Sequence, residues 1–179
     1  ETSTDSFGSK KTREHTMNEL FFLGVAISIY FFASFAGATS IFFCKNGDNC
    51  LAKSIPLVMA LGLVAQVLYF AVRLENTGQI PMSNMFESLV VTSATVSAMY
   101  LTWLRTYKVL WITILSPILA FVVLGSALLL DSSVMPLMPA LQSSWLTVHV
   151  ITCMASYSAF LFAFALSVSN SRSVSSANP

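Results

Sequence analysis

Five long apolar runs alternate with short polar segments along the chain, and this alternation predicts the fold. Each run has the length of a bilayer-spanning helix, which needs about 20 residues. The predicted spans cover residues 19–43, 54–72, 85–104, 109–130 and 145–168. A polar arm at 1–16 and a polar tail at 169–179 flank a transmembrane domain at 17–168. The predicted fold class is an all-α integral membrane protein, a bundle of about five transmembrane helices.

Local signals at the ends of these runs agree with helices. Pro56 is expected in the first turn of the second span, where its missing amide proton costs little. Asn84 and Glu87 have the spacing of a capping box at the start of the third span. The first span carries small residues suited to close helix contact, namely Gly24, Ala26, Ser28, Ala33, Ser34, Ala36, Gly37 and Ala38.

Composition supports a membrane protein and excludes several functions. The chain is 55% hydrophobic and 9% charged, whereas about a quarter of the residues of an average soluble domain are charged. With a net charge of +1 and no basic stripe with interleaved aromatics, no nucleic-acid partner is expected. The three cysteines form no CxxC, CxxCH or zinc pattern.

Basic residues in the connections predict the orientation of the bundle. The connections and tail place five basic residues on one side, Lys45, Lys53, Arg105, Lys108 and Arg172, against Arg73 alone on the other. Lys10, Lys11 and Arg13 of the N-terminal arm oppose this assignment. Because basic residues favour the cytoplasmic side, we expect the 73–83 loop, the 131–144 loop and His149 at the outer face.

His149 is the leading candidate for a functional residue, because ionisable groups inside membrane spans usually face a protein interior or a cavity. On a helix that starts near Trp145, the residues Trp145, His149, Thr152, Cys153 and Ser156 share one face. An aromatic plate beside an imidazole suits a porphyrin. Two alternatives remain equally open: His149 as an interhelical hydrogen-bonding residue, and Trp145 as an ordinary interfacial anchor.

Other residues carry weaker signals. Four methionines near the two outer loops, Met82, Met85, Met135 and Met138, could ligate haem iron, but packing is the favoured interpretation. Helix capping explains Glu87 better than a ligand role does. The chain has no glycine-rich phosphate loop, no paired carboxylates for hydrolysis and no nucleophile with its base. No catalytic residue is therefore predicted, and any chemistry would belong to a bound cofactor.

Two stretches carry a family resemblance. Residues 78–89, GQIPMSNMFESL, resemble the G-x-x-P-x-S-N-x-x-E-S-L segment of the system II cytochrome c synthesis membrane proteins, the CcsA or ResC family of bacteria and chloroplasts. Residues 139–150, PALQSSWLTVHV, resemble the P-A-L-x-S-x-W-L-x-x-H-V segment of the same family. The similarity covers about residues 54–168, including the helical hairpin between the two segments.

The resemblance implies a function and a site. Members of this family handle haem at the outer membrane face and attach it to CxxCH motifs of apocytochrome c. His149 matches the first outer-face axial histidine, so the resemblance implies haem b as cofactor, with His149 as a ligand of its iron and Trp145 beside it. It also implies a multi-pass protein of a bacterial inner membrane or a thylakoid membrane, with His149 near the outer or lumenal face.

The chain also departs from the family pattern. The tryptophan-rich haem loop and the second outer histidine are absent, since the only tryptophans are Trp103, Trp111 and Trp145 and the only histidines are His15 and His149. The chain therefore resembles the N-terminal half of such a protein, as a fragment, a split subunit or a descendant without the ligase.

These departures define the partners that the resemblance implies. The expected partners are a chain that carries the missing loop and histidine, a ResB-like membrane protein and apocytochrome c. At most, the chain is one component of a cytochrome c haem lyase. The alternative is a non-catalytic structural subunit of a larger membrane complex.

The orientation can be tested on two cysteines. Cys44 and Cys50 lie in the first connection, which the basic-residue count assigns to the cytoplasm. We expect a membrane-impermeant thiol reagent to leave both unmodified in spheroplasts and to modify them after permeabilisation, as followed by mass spectrometry. Rapid labelling of either cysteine in intact spheroplasts would reverse the topology.

Overall fold

The computed structural model describes the backbone of residues 2–43, 50–78, 84–104, 110–131 and 144–177, and the side chains of residues 19–39, 54–78, 84–104, 112–131 and 145–167. These residues form five helices and, within those ranges, no strand. The helices are α1 (Thr2–Phe43), α2 (Cys50–Thr77), α3 (Met85–Trp103), α4 (Leu110–Ala127) and α5 (Ser144–Ala177). The predicted fold class, an all-α membrane protein with a bundle of about five helices, is confirmed.

The helix ends differ from the predicted spans in three places. Helix α1 begins at Thr2 and α5 ends at Ala177, so residues 2–16 of the predicted polar arm and 169–177 of the predicted tail continue these helices. Helix α2 begins at Cys50, which places Pro56 in its interior rather than in its first turn. A membrane helix tolerates such a proline because neighbouring helices and side chains can satisfy the freed backbone carbonyl.

Three helical segments within the described residues are long and apolar enough to cross a membrane: Glu19–Thr39, Ser54–Thr77 and Trp145–Ser167. The apolar part of α4, Ile112–Ala127, is shorter. Helix α3 is not among these segments because it is rich in hydroxyl side chains. It packs against α2, α4 and α5.

The hydroxyl groups of α3 bond to the helices around it. Ser93 Oγ donates to the Ala120 carbonyl of α4 at 3.1 Å. The hydroxyls of Thr95 and of Ser158 on α5 lie 2.6 Å apart, and Thr92 Oγ1 donates to Met154 Sδ of α5 at 2.9 Å. Because lipid offers no hydrogen-bond partner, polar side chains are placed best where other helices surround them. The composition of α3 thus agrees with its packing against three other helices.

A buried hydrogen-bond network joins α1, α2 and α3 in the middle of the bundle. The Tyr30 hydroxyl donates to Gln66 Oε1 at 2.8 Å and accepts from Ser97 Oγ at 2.8 Å. Gln66 Nε2 also donates to the Val90 carbonyl at 3.4 Å. Tyr30, Gln66 and Ser97 are fully buried. Each polar group finds its partner on another helix, so the network fixes how these three helices pack.

The small residues of α1 divide between two faces. Ala26 and Ala33 are buried. A Cβ added at Gly37 would lie only 3.4 Å from the Cα of Ile114, so α1 and α4 are close together there. This part of the predicted close-contact face therefore packs as expected. Gly24 and Ser28 instead lie exposed on the other side of α1, in an open apolar groove of about 450 Å³ that includes Phe21 and Phe32.

The contacts of α5 set its direction. Thr92 and Thr95 of α3 pair with Met154 and Ser158 of α5, and Trp103 lies 6.1 Å from Phe162 between ring centroids. Residue numbers rise together along both helices, so α3 and α5 run parallel. The starts of the two helices therefore lie at the same end of the bundle.

Gly62 provides a test of the central network. A Cβ at this position would lie 2.8 Å from Cζ of the buried Tyr30 ring. We expect Gly62→Ala to displace Tyr30 from Gln66 and Ser97 and to destabilise the fold by about 1–3 kcal/mol, as overpacking does elsewhere. Thermal unfolding of the detergent-solubilised protein measures the loss.

Gly24→Ala is the matched control for Gly62→Ala, because an added Cβ there meets nothing within 4 Å. Its unfolding temperature should equal or exceed that of the parent. Equal unfolding temperatures for the two variants would contradict the assigned packing of Tyr30.

Candidate functional site

The first candidate site is the face of α5 that points away from the bundle. His149 is exposed there, and Trp145, one turn earlier, is 81% exposed. Thr152 and Ser156 are exposed and Cys153 is half-buried. The residues predicted to share one face therefore do so, and that face is open.

Helical geometry explains why this face points outward. The side of α5 that packs against its neighbours carries the buried Ser158 and Phe162. His149 precedes Ser158 by nine residues, or about two and a half turns at 3.6 residues per turn. The imidazole therefore lies on the opposite side of the helix from the buried hydroxyl.

The His149 ring has a sulfur neighbour. Its Nε2 lies 3.6 Å from the Sγ of Cys153, one turn further along α5. The hydroxyls of Thr152 and Ser156 donate to the backbone carbonyls of Val148 and Thr152. The nearby hydroxyl groups thus bond within their own helix, and the thiol is the polar group that contacts the imidazole.

The contacts of the ring bear on the two alternatives for His149, a ligand of haem iron and an interhelical hydrogen-bonding residue. Within the described part of the chain, its ring makes its polar contact on its own helix and does not bridge to another helix. The exposed Trp145 is equally compatible with an interfacial anchor and with a plate for a flat ligand.

Haem fits this face in part. A neutral imidazole is a suitable axial ligand of haem iron, and the indole of Trp145 could stack on a porphyrin. Both side chains are exposed, so the remaining walls of a haem pocket would have to come from beyond the described bundle. Among the described residues, no group of three histidine, cysteine or acidic side chains could hold a metal ion.

A buried ionic cluster of Glu19, Arg73 and Glu87 lies at the end of the bundle where α3 begins. Arg73 Nη1 of α2 lies 2.7 Å from Glu19 Oε2 of α1. Arg73 Nε and Nη2 both donate to Glu87 Oε1 of α3, at 3.0 and 2.9 Å. The other Glu19 oxygen accepts from Asn76 Nδ2 at 2.7 Å. The three charged side chains are each less than 10% exposed.

The cluster corrects the interpretation of Glu87. Asn84 Oδ1 accepts from the Glu87 backbone amide at 2.8 Å, so this half of the predicted capping box is confirmed. The Glu87 carboxylate also accepts hydrogen bonds from Arg73, a contact that the capping interpretation did not include. Because a buried guanidinium needs a charged partner, Glu87 also serves the ion pair with α2.

Of the four methionines that were predicted to pack near the two outer loops, the structure describes one. Met85 is 68% exposed and is not packed into the bundle. Met82, Met135 and Met138 lie outside the described residues, as does the rest of the 132–143 connection. A role in packing for these three residues stays a prediction.

His149 and the ionic cluster lie at the same depth. Thr92 of α3 contacts Met154 of α5, and α3 and α5 run parallel. Glu87 precedes Thr92 by five residues and His149 precedes Met154 by five, which is about 7.5 Å along each helix. Glu87 and His149 are therefore level with each other at one end of the bundle.

The sequence analysis did not predict the ionic cluster, although the positions of its charges contain a signal for it. Glu19, Arg73 and Glu87 are charges at the ends of three apolar runs, on the side of the bundle where consecutive antiparallel spans meet. Charges near or within a membrane rarely remain single. The alternation of the spans places these three ends together, which makes their pairing predictable in principle.

Comparison with known proteins identifies relatives of one kind. The chain is 32% identical over 159 residues to cytochrome c biogenesis protein CcsA of Guillardia theta, a match that covers 84% of this chain and 49% of that protein. It is 34% identical over 98 residues to CcsA of a Synechococcus strain, covering 52% of this chain and 28% of the relative. CcsA of Chlamydomonas reinhardtii is 29% identical over 132 residues, covering 67% and 36%.

These matches span about half the length of the relatives at most. No protein-family model matches the chain. No solved structure gives a significant match.

The ionic cluster can be tested by removing its cation. Arg73→Met leaves two carboxylates buried without their partner, and breaking a buried ion pair in this way costs about 3–5 kcal/mol. We expect a large fall in the unfolding temperature in detergent. Adding Glu19→Gln and Glu87→Gln should restore much of it, because neutral amides remove the uncompensated charge.

Glu75→Gln is the control for Arg73→Met, because Glu75 is an exposed acidic residue two positions along the same helix. Its unfolding temperature should match that of the parent. If Arg73→Met behaved like this control, the cluster would not hold the three helices together.

Proposed function

We propose, because this chain belongs to the CcsA family of cytochrome c biogenesis proteins, that it is a haem-handling component of cytochrome c assembly. The observation that carries the proposal is the match to CcsA of Guillardia theta over 84% of the chain at 32% identity. The match covers 49% of that relative, and the proposed component acts with a partner that supplies the tryptophan-rich haem loop.

His149 is the proposed axial ligand of the haem iron. It lies one turn inside α5 and is exposed on the side opposite the bundle, so a ligand can approach it without displacing a core residue. The ring must be neutral at the nitrogen that binds iron. The Nε2 atom now contacts Cys153 Sγ, and the thiol has to turn aside if this nitrogen binds the metal.

Trp145 is proposed to stack on the porphyrin beside His149. Its indole is 81% exposed one turn before the imidazole, on the same face of α5. The proposed partner chain covers this face with the tryptophan-rich loop and the second axial histidine. Haem held there would supply the group that is attached to the CxxCH motif of apocytochrome c.

The proposed site lies at the outer or lumenal face of a bacterial inner membrane or a thylakoid membrane. The basic-residue count of the loops supports this orientation. The contact between Thr92 of α3 and Met154 of α5 supports having the start of α3 at the same end of the bundle as the proposed haem site. A ResB-like membrane protein is a further proposed partner on that side.

A structural role without haem is the second candidate function. The observation that favours it is the low burial of α5, the least buried of the three long apolar spans. A partner helix that packs on this face would account for its exposure without any cofactor. Absorption spectroscopy separates the two functions, because only the first predicts a Soret band that follows the polypeptide.

Replacement of His149 tests the haem proposal. We expect His149→Ala, in cells that also hold the partner chain, to lose or shift the Soret band and to lower the yield of cytochrome c. His149→Gly with added imidazole should partly restore the spectrum, because the vacated space admits the missing ligand. The spectrum of the purified complex and haem staining of cytochrome c measure these effects.

Ser156→Ala is the control for this test, since it lies on the same face of α5 and its hydroxyl bonds only within the helix. It should leave the haem content unchanged. A His149→Ala complex with the parental spectrum and the parental cytochrome c yield would rule out the ligand role. Even the loss of an interhelical membrane hydrogen bond averages only about 0.6 kcal/mol, so assembly should survive the substitution.

A further inference from the structure

We propose that the ionic cluster binds a buried water molecule, which bridges its two carboxylates to the hydroxyl of Tyr69. The site is formed by α1, α2 and α3 and uses no residue of the proposed haem face on α5. The proposal therefore does not depend on the haem function. It makes the cluster a hydrated polar site at the end of the bundle.

The Tyr69 hydroxyl needs a partner. Tyr69 is 1% exposed, and no atom of the described residues lies within hydrogen-bonding distance of its hydroxyl. A buried hydroxyl without a partner is costly, and in folded proteins such groups nearly always bond to protein or to ordered water. Tyr30 on α1 shows the usual case, because it is equally buried and its hydroxyl bonds to Gln66 and Ser97.

The position of Tyr69 places its hydroxyl beside the ionic cluster. Tyr69 precedes Arg73 by four residues on α2, so the two buried side chains lie on the same face of that helix. The hydroxyl interacts electrostatically with Arg73 and with both carboxylates. It is thus near all three charges without a direct hydrogen bond to any of them. A polar contact longer than a direct hydrogen bond is commonly bridged by water.

The charges of the cluster favour a ligand that donates hydrogen bonds. Two carboxylates share one guanidinium, so the cluster carries a net negative charge. An ionised carboxylate has about four sites that accept hydrogen bonds, and Glu19 accepts one bond from Arg73 and one from Asn76. A water molecule can donate to Glu19 and to Glu87 and accept from the Tyr69 hydroxyl. These are about three hydrogen bonds, the usual number for a buried water.

Asn76 gives this site a short route from solvent. Its side chain is exposed, and its Nδ2 donates to Glu19 Oε1 at 2.7 Å. The cluster therefore lies directly beneath a surface residue near the end of α2. A water molecule can enter there without crossing the apolar part of the bundle.

Hydroxyl-radical labelling by X-ray radiolysis tests the site on the full chain in detergent. A bound water releases the radical next to the side chain that it contacts, so we expect Tyr69 to be oxidised although it is buried. Tyr30 is the internal control, because protein groups satisfy its hydroxyl, and its oxidation should be several-fold lower. Mass spectrometry of the peptides measures both. Equal oxidation of the two tyrosines would overturn the proposal.

Tyr69→Phe separates a bridged hydroxyl from an unpartnered one. If water bridges the hydroxyl to the carboxylates, the substitution removes a hydrogen bond and the unfolding temperature in detergent should fall. If the hydroxyl has no partner, phenylalanine removes an unsatisfied polar group and the unfolding temperature should stay the same or rise.

Tyr157→Phe is the control for this substitution, because Tyr157 is 54% exposed on α5, and its unfolding temperature should match that of the parent. A Tyr69→Phe variant as stable as the parent, or more stable, would contradict the water site. A lower unfolding temperature without oxidation of Tyr69 in the parent would indicate a direct bond to the cluster and would also refute the proposal.

Discussion

The buried arginine at the end of α2 is the constraint on which the arrangement of the bundle depends. A guanidinium removed from water is tolerated only with charged partners, and here those partners come from α1 and α3. The Tyr30 network joins the same three helices nearer the middle. Two points of attachment at different depths fix both the tilt and the rotation of α3. Because α5 attaches to α3 through Thr92 and Thr95, the level of His149 follows from the same contacts.

The open face of α5 carries the proposed functional residues, His149 and Trp145. The inward side of this helix is held by the Thr95–Ser158 hydroxyl pair and by Phe162, whereas the outward side presents an imidazole, a thiol and an indole near one end. The rigid bundle thus sets the position of these groups without enclosing them. We propose that a second surface completes the haem site on this face.

The sequence predicted the helices better than their contacts. Apolar run length located all five, and the start of α3 was recovered from Asn84 and Glu87. Helical periodicity correctly grouped Trp145, His149 and Cys153, but periodicity cannot tell whether a face points inward or outward. The Glu19–Arg73 pair joins residues 54 positions apart, so the alternation of the spans could have predicted it but a local pattern could not. Pro56 was misplaced because the membrane relaxes the rule that keeps proline in the first turn. The role of His149 as a ligand stays a prediction.

The hydroxyl-rich composition of α3 also bears on how the protein enters the membrane. A helix partitions into lipid according to its own hydropathy, and serine and threonine side chains contribute little to that transfer. Helix α3 therefore depends on neighbours that accept its hydrogen bonds more than α2 or α5 does. The order of synthesis meets part of this need, since α1 and α2, which carry Tyr30, Gln66 and Arg73, leave the ribosome before α3. The late helices α4 and α5 then cover the hydroxyls that remain on its other sides.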